Sequence, residues 1–149
     1  MAEPGEQHWG VMGKTEYYLA PISDDVLAEF RDRADAPEFW AAHWKSTDYR
    51  RFLERYENGY LGEFTHVFKK YLPRDRLIVE AGCGRGQYVY ALQRLGYRVV
   101  GVDFSAELVA RVKEAKAAVN VVVGDVRALD FEDRSLGAYI SLGVVEHFW

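Results

Sequence analysis

The chain is poor in cysteine, in clustered basic residues and in long apolar runs. Cys83 is the only cysteine among 149 residues, so no disulfide can form within the chain, and a reducing, cytoplasmic setting is expected. A net charge of −4 without a local Lys/Arg cluster argues against nucleic acid as a partner. The apolar runs are too short to span a bilayer, and residues 1–10 lack the charged and apolar regions of a secretory signal. These shortages leave a cytoplasmic protein without a membrane segment as the expectation.

The length and composition of the sequence are those of one ordinary domain, but its aromatic residues are unevenly distributed. Hydrophobic residues make up 49% and aromatic residues 15%, and the aromatic residues concentrate in the first half. Helical spacing of apolar residues predicts a helical, aromatic cap segment over residues 1–75 and a second unit over residues 76–149. The predicted helices of the cap segment cover residues 24–33, 38–45, 48–56 and 61–71.

After residue 76 the pattern changes to short apolar runs that alternate with helical stretches. The runs predict strands over residues 77–79, 98–103, 120–123 and 138–142. The stretches between them predict helices over residues 88–95 and 106–118, and a further helix begins at residue 144. Strands that alternate with helices indicate a doubly wound parallel sheet, hence an α/β fold.

A glycine-rich turn follows the first strand. Glu80 precedes Gly82, Gly84 and Gly86, which stand at alternate positions before a helix. No Lys-Ser/Thr pair follows, which excludes a phosphate-binding P-loop. A dinucleotide-binding turn needs its third glycine at the position that Gln87 occupies, and the carboxylate of Glu80 suits a ligand with positive charge or hydroxyl groups. A nicotinamide-dependent oxidoreductase is therefore disfavoured.

The spacing of acidic residue and glycines resembles motif I of the class I (Rossmann-like) S-adenosylmethionine-dependent methyltransferases. The resemblance covers residues 77–148 and implies a sheet ordered 3-2-1-4, preceded by an N-terminal helical segment. Three later stretches also resemble the family. Val99 to Asp103 resembles its second strand, and Gly124-Asp125-Val126 resembles the element after its third strand. Residues 138–148 resemble its fourth strand and the exit of that strand into a helix.

The resemblance also implies roles for individual residues. Asp103 would bond both ribose hydroxyls, the carboxylate of Asp125 would accept the adenine amine, and the Val126 N–H would bond a ring nitrogen. The cofactor would be S-adenosyl-L-methionine, S-adenosyl-L-homocysteine its product, and no metal is expected. The expected cofactor-binding residues are Glu80, Gly82, Cys83, Gly84, Asp103, Phe104, Asp125, Val126 and Leu142.

Several of the residues near this turn have two interpretations. Cys83 suits a small buried filler better than a nucleophile, because no base partner is evident, and Arg85 is interpreted as a surface residue at a helix start. Phe104 fits either the adenine face or the core. His147, beside Glu146, is the candidate catalytic base, although both residues equally suit pocket shape or a helix cap. The aromatic residues of the cap segment suit core packing or a lid over the cofactor: Tyr17, Tyr18, Phe39, Trp40, His43 and Trp44.

The chain stops after the fourth predicted strand, whereas the family carries seven. The expectation is therefore a truncated or half-sized unit with its cofactor half only. Residues 138–142 would form an open, apolar sheet edge, which predicts a homo-oligomer through that strand. The leading hypothesis is a methyltransferase with a small-molecule acceptor. The alternative is a catalytically inert domain that binds S-adenosylmethionine or serves in assembly.

Overall fold

The computed structural model describes residues 37–144. It contains five α-helices, a 3₁₀ turn and four strands within that range. They are, in chain order, α1 Pro37–His43, α2 Tyr49–Glu54, the 3₁₀ turn Gly62–Phe64, α3 Thr65–Tyr71, β1 Leu77–Ala81, α4 Gln87–Arg94, β2 Val99–Asp103, α5 Ala106–Ala115, β3 Val121–Val123 and β4 Leu136–Ser141. None of the described helices is long and apolar enough to cross a membrane.

The four strands form one parallel sheet in the order β3-β2-β1-β4, as predicted. β1 and β2 lie in the middle, and both are buried on both faces almost throughout, which explains their continuous apolar sequences. This order brings the carboxyl ends of β1, β2 and β3 side by side at one edge of the sheet. Ligands of doubly wound sheets bind at that edge.

The sheet separates two apolar layers. On one face, α4 and α5 pack with the helices that precede the sheet into a core that includes Leu53, Phe68 and Val89. On the other face, Val79 and Val102 pack against the segment that connects β3 to β4, which includes Leu129 and Phe131. The helices near the N-terminus therefore share the larger core with the α/β unit.

The bounds of several elements differ from the sequence prediction. β4 begins at Leu136, because Gly137 lets the backbone lie against Arg76 and Pro73 where a Cβ would stand 2.4 Å and 2.7 Å from their carbons. α5 ends at Ala115 instead of 118, since Lys116 already has an extended backbone. The predicted helix over 61–71 is split into the 3₁₀ turn and α3.

Some predictions fall outside the described residues. These are the helix over 24–33, the lid candidates Tyr17 and Tyr18, and the pair Glu146 and His147. The helix predicted from residue 144 also lies beyond the range except for Val144, which is not helical.

Candidate functional site

The turn between β1 and α4 takes a shape that requires glycine. Gly82, Gly84 and Gly86 have φ values of 72°, 50° and 69°, in the left-handed region that other residues rarely adopt. The backbone N–H groups of Gly82 and Cys83 both donate to the carbonyl of Val102, at 2.8 and 3.1 Å. These N–H groups are therefore committed to the neighbouring strand and do not form an open cradle for phosphate.

Asp103, the last residue of β2, braces this turn. Its Oδ2 accepts from the Gly84 N–H at 2.8 Å, and its Oδ1 accepts from the Ser105 N–H at 3.0 Å. Burial raises the pKa of Asp103, against the opposing effect of these two hydrogen bonds, and only 5% of the residue is exposed. Each carboxylate oxygen keeps a further lone pair, so the brace leaves capacity to accept hydroxyl groups.

Glu80, near the end of β1, is buried with one oxygen unsatisfied. Its Oε2 has no hydrogen-bond partner, while the Val89 N–H bonds its carboxylate. Burial is the main reason that the pKa of Glu80 rises to about 8, and the nearby charge of Asp103 adds to the shift. A buried carboxylate oxygen without a donor is a polar group for which a ligand can supply the missing partner.

Asp125, after β3, is engaged by a neighbour in sequence. Arg127 donates from Nη2 to Oδ2 at 2.7 Å and from its backbone N–H to Oδ1 at 2.8 Å. This contact lowers the pKa of Asp125, with the side-chain hydrogen bond as the main cause. The carboxylate is consequently ionised at neutral pH and is held in place as an acceptor.

These groups meet in one cavity of about 240 Å³ at the carboxyl edge of the sheet. Glu80, Asp103 and Asp125 all line it, together with the turn and the exit of β4. Gly82 lies so close to that exit that a Cβ would stand 2.3 Å from Val144 Cγ2. Within residues 37–144, no group of three or more His, Cys, Asp or Glu side chains is placed to hold a metal ion.

Comparison with known proteins gives a consistent result. The family model described as methyltransferase domain matches residues 79–149. A probable S-adenosylmethionine-dependent methyltransferase of Mycolicibacterium smegmatis is 31% identical over 95 residues, which are 62% of this chain and 37% of that protein. A protein of Mycobacterium tuberculosis with the same description is 28% identical over 95 residues, covering 62% of this chain and 35% of its own length.

Over these residues the chain is similar to the class I (Rossmann-like) S-adenosylmethionine-dependent methyltransferases. Among solved structures, the PH0226 protein from Pyrococcus horikoshii OT3 matches with 28% identity and a TM-score of 0.48, over 66% of this chain and 47% of that one. The chain spans just over a third of the length of the curated relatives it matches, 37% and 35%.

All the cofactor-binding residues predicted from the sequence line the same cavity. The structure brings together Glu80, Gly82, Cys83, Gly84, Asp103, Phe104, Asp125, Val126 and Leu142. Cys83 is buried, and burial raises the pKa of its thiol, which suits a packing role and opposes a nucleophilic one. The candidate base His147 lies outside the described residues.

Other residues that line the cavity were misjudged or missed in the sequence prediction. Arg85 is not a surface residue but lies half-buried between the rings of Trp44 and Phe52. Trp40 and Trp44, considered only as lid or core candidates, line the cavity, as does Gln87. The position of Arg85 inside the glycine motif is the one sequence signal that pointed toward the site.

Proposed function

We propose that this chain binds S-adenosyl-L-methionine in the 240 Å³ cavity and provides the cofactor-binding part of a methyltransferase. The observation that carries the proposal is the convergence on one cavity of Glu80, Asp103 and Asp125, which lie near the carboxyl ends of three different strands. A buried, unpartnered oxygen on Glu80 gives that cavity an acceptor for a cationic group.

The residues present fit the cofactor in three places along the sheet edge. Asp125 and the Val126 N–H would hold adenine beyond β3, and Asp103 would accept the ribose hydroxyls beyond β2. Glu80 Oε2 and Gln87 Oε1, both buried without a hydrogen-bond partner, would accept from the ammonium group near β1. When bound, S-adenosylmethionine supplies a methyl group activated by a positively charged sulfur.

The residues of the chain contribute alignment and exclusion of water more than proton transfer. Trp40, Trp44 and Phe104 add apolar surface around the carboxylates of the cavity. Alignment is the main requirement of a displacement at a methyl group, and a base is needed only for some acceptors. The assignment of His147 as that base stays a prediction. A small-molecule acceptor is favoured by the net charge of −4.

We infer that residues 1–75 act as a cap segment on the unit formed by residues 76–149. Support comes from Trp40 and Trp44, which line the cavity from the cap side, and from Arg85, which connects the two parts. A cytoplasmic location belongs to the same proposal, with the buried free thiol of Cys83 as its support.

Isothermal titration calorimetry with S-adenosylhomocysteine tests the proposal directly. We expect one site per chain, with NAD⁺ and ATP giving no heat of binding under the same conditions. The commitment of the Gly82, Cys83 and Gly84 N–H groups to protein acceptors is the reason that we expect the phosphate-bearing ligands to fail. Binding of NAD⁺ in preference to S-adenosylhomocysteine would overturn the assignment.

Asp103→Ala is expected to weaken S-adenosylhomocysteine binding by about 1.5–3 kcal/mol, because hydrogen bonds to a charged group are lost. The variant also removes the brace on Gly84, so its thermal denaturation is measured alongside to separate lost contacts from a disturbed fold. Asp130→Ala, which removes an exposed carboxylate, is the matched control and should bind like the original chain. Unchanged affinity in Asp103→Ala contradicts the ribose assignment.

The alternative, a catalytically inert domain, shares the binding site and differs only in turnover. Candidate acceptors are incubated with the chain and S-adenosylmethionine, and formation of S-adenosylhomocysteine is followed by chromatography. Product above the rate seen without protein supports the enzyme. Tight cofactor binding without product, over a broad set of acceptors, favours the inert domain.

A further inference from the structure

Arg85 has an unusual environment for a residue at the edge of a cavity. Its guanidinium carbon lies 3.9 Å from the ring centroid of Trp44 and 3.9 Å from that of Phe52. The two rings come from the helical segment that precedes the sheet, whereas Arg85 stands between two glycines of the turn. Cation–π contacts on a guanidinium use its faces and leave the N–H groups at its edge for other partners.

Those N–H groups have no acceptor among residues 37–144. Arg85 makes no hydrogen bond or ion pair there, in contrast to Arg74, which also stacks on an aromatic ring (Tyr97, 4.4 Å) but donates to the Leu95 carbonyl. Burial lowers the pKa of Arg85 from its ordinary value, yet a guanidinium stays charged at neutral pH. Within the part of the chain that the structure describes, Arg85 is therefore a half-buried cation whose donors are unused and that lacks an anionic partner.

The position of Arg85 identifies which anion would reach it. Adenine at Asp125 and ribose at Asp103 would run along the sheet edge from β3 to β2, so the substituent on the ribose 5′ carbon points to the turn after β1. That turn carries both Glu80, with its unpartnered oxygen, and Arg85. An ammonium group beside a carboxylate acceptor and a carboxylate beside a guanidinium together match an amino-acid zwitterion.

We propose that Arg85, held between Trp44 and Phe52, binds the carboxylate of the cofactor's methionyl group. The inference rests on the proposed function and adds a residue that determines recognition of the amino-acid end. The planar fork would donate to both carboxylate oxygens, and the aromatic rings would fix its orientation before binding. A carboxylate on the methyl acceptor has the same chemistry and is the competing source.

Two ligands and two variants separate these sources. S-adenosylhomocysteine carries the carboxylate, whereas 5′-methylthioadenosine keeps the adenosine and sulfur but lacks the amino-acid group. Arg85→Met preserves an apolar stack between the rings and removes the donors, and Arg74→Met is the matched control for a stacked arginine outside the cavity. Each chain is titrated with both ligands by calorimetry.

Arg85→Met is expected to weaken S-adenosylhomocysteine binding by about ten- to a hundredfold and to leave 5′-methylthioadenosine within about twofold. Arg74→Met is expected to change neither. Equal losses for both ligands would show that Arg85 only holds the cap segment in place. Unchanged binding of both would assign it to the acceptor or to no ligand. Either result overturns the proposal.

The unmodified chain keeps failure of this inference distinct from failure of the proposed function. If it binds neither ligand, the methyltransferase site itself is wrong; if it binds both and the variant shows no selective loss, only the role of Arg85 is wrong. Circular dichroism verifies the fold of each variant. If Arg85→Met does not fold, Arg85→Lys replaces it in the same comparison. Lysine keeps the positive charge but lacks the planar guanidinium, so we expect a smaller selective loss of S-adenosylhomocysteine affinity.

Discussion

Glu80 combines burial with an incomplete set of partners, and this has consequences for stability. Its pKa in the folded chain is about 8, against an ordinary value of 4.5 in an unfolded chain. Between these values the folded chain holds a proton that the unfolded chain has lost. The free energy of unfolding therefore falls as pH rises from about 4.5 to about 8, by roughly 1 kcal/mol per pH unit, and levels off above.

Glu80→Gln is expected to flatten this pH dependence, because the amide does not titrate. Urea denaturation between about pH 5 and about pH 9 measures the free energy of unfolding of both chains. Loss of the Glu80 proton should also accompany ligand binding, because a cationic group favours the ionised carboxylate. We therefore expect the affinity for S-adenosylhomocysteine to rise toward pH 8, with release of a proton on binding. Parallel pH profiles for the two chains would contradict the assignment.

At the scale of the elements, the glycine turn and the start of α4 pack so closely against β2 that a Cβ on Gly101 would not fit. A Cβ on Gly101 would stand 2.6 Å from Val89 Cγ2 and 2.7 Å from Cys83 Sγ. Gly84 presents the opposite case, with open space around the Cβ position but a φ of +50°. The two glycines are therefore needed for different reasons, one steric and one conformational.

Gly101→Ala is expected to lower the free energy of unfolding by about 1–3 kcal/mol through overpacking of the contact between the turn and β2. Gly84→Ala meets no neighbour and should cost about 1 kcal/mol from its backbone conformation alone. Chemical denaturation of both variants gives the comparison. The proposed steric role of Gly101 fails if its variant is no less stable than Gly84→Ala.

The order and type of these elements were predictable because each has a local cause. Ser105 caps α5 by accepting from the Leu108 N–H at 3.3 Å, as its place before an acidic first turn predicts. The apolar runs of β1 and β2 are continuous because both faces are buried. The early start of β4 was not predictable, since it depends on the contact of Gly137 with Arg76 and Pro73, which lie about 60 residues earlier in the chain.

At the scale of the whole molecule, the positions of the three cavity carboxylates could be predicted from the sequence, whereas the environment of Arg85 could not. Parallel strands in a known order bring Glu80, Asp103 and Asp125 to one edge whatever else the chain does. Arg85 was misjudged because its environment depends on how Trp44, just after α1, and Phe52 of α2 pack against the turn. Contacts between distant segments leave no periodicity in the sequence.

The outer edge of β4 leads to a prediction about assembly. Within residues 37–144, β4 pairs with β1 alone, so its other side presents backbone groups without a strand partner. Tyr139 on this strand is 47% exposed, which adds apolar surface beside that edge. An open parallel edge of this kind favours pairing with a strand of a second copy.

We predict that the 149-residue chain self-associates through β4, and that Tyr139→Lys weakens the association by placing a charge beside the edge. Sedimentation velocity over a series of concentrations measures the monomer fraction of each chain. Tyr71→Lys is the matched control, because Tyr71 is 67% exposed on α3 and belongs to no strand. A folded chain that stays monomeric at high concentration contradicts the prediction, as does equal weakening by both substitutions, since the loss would then follow from net charge and not from the position of β4.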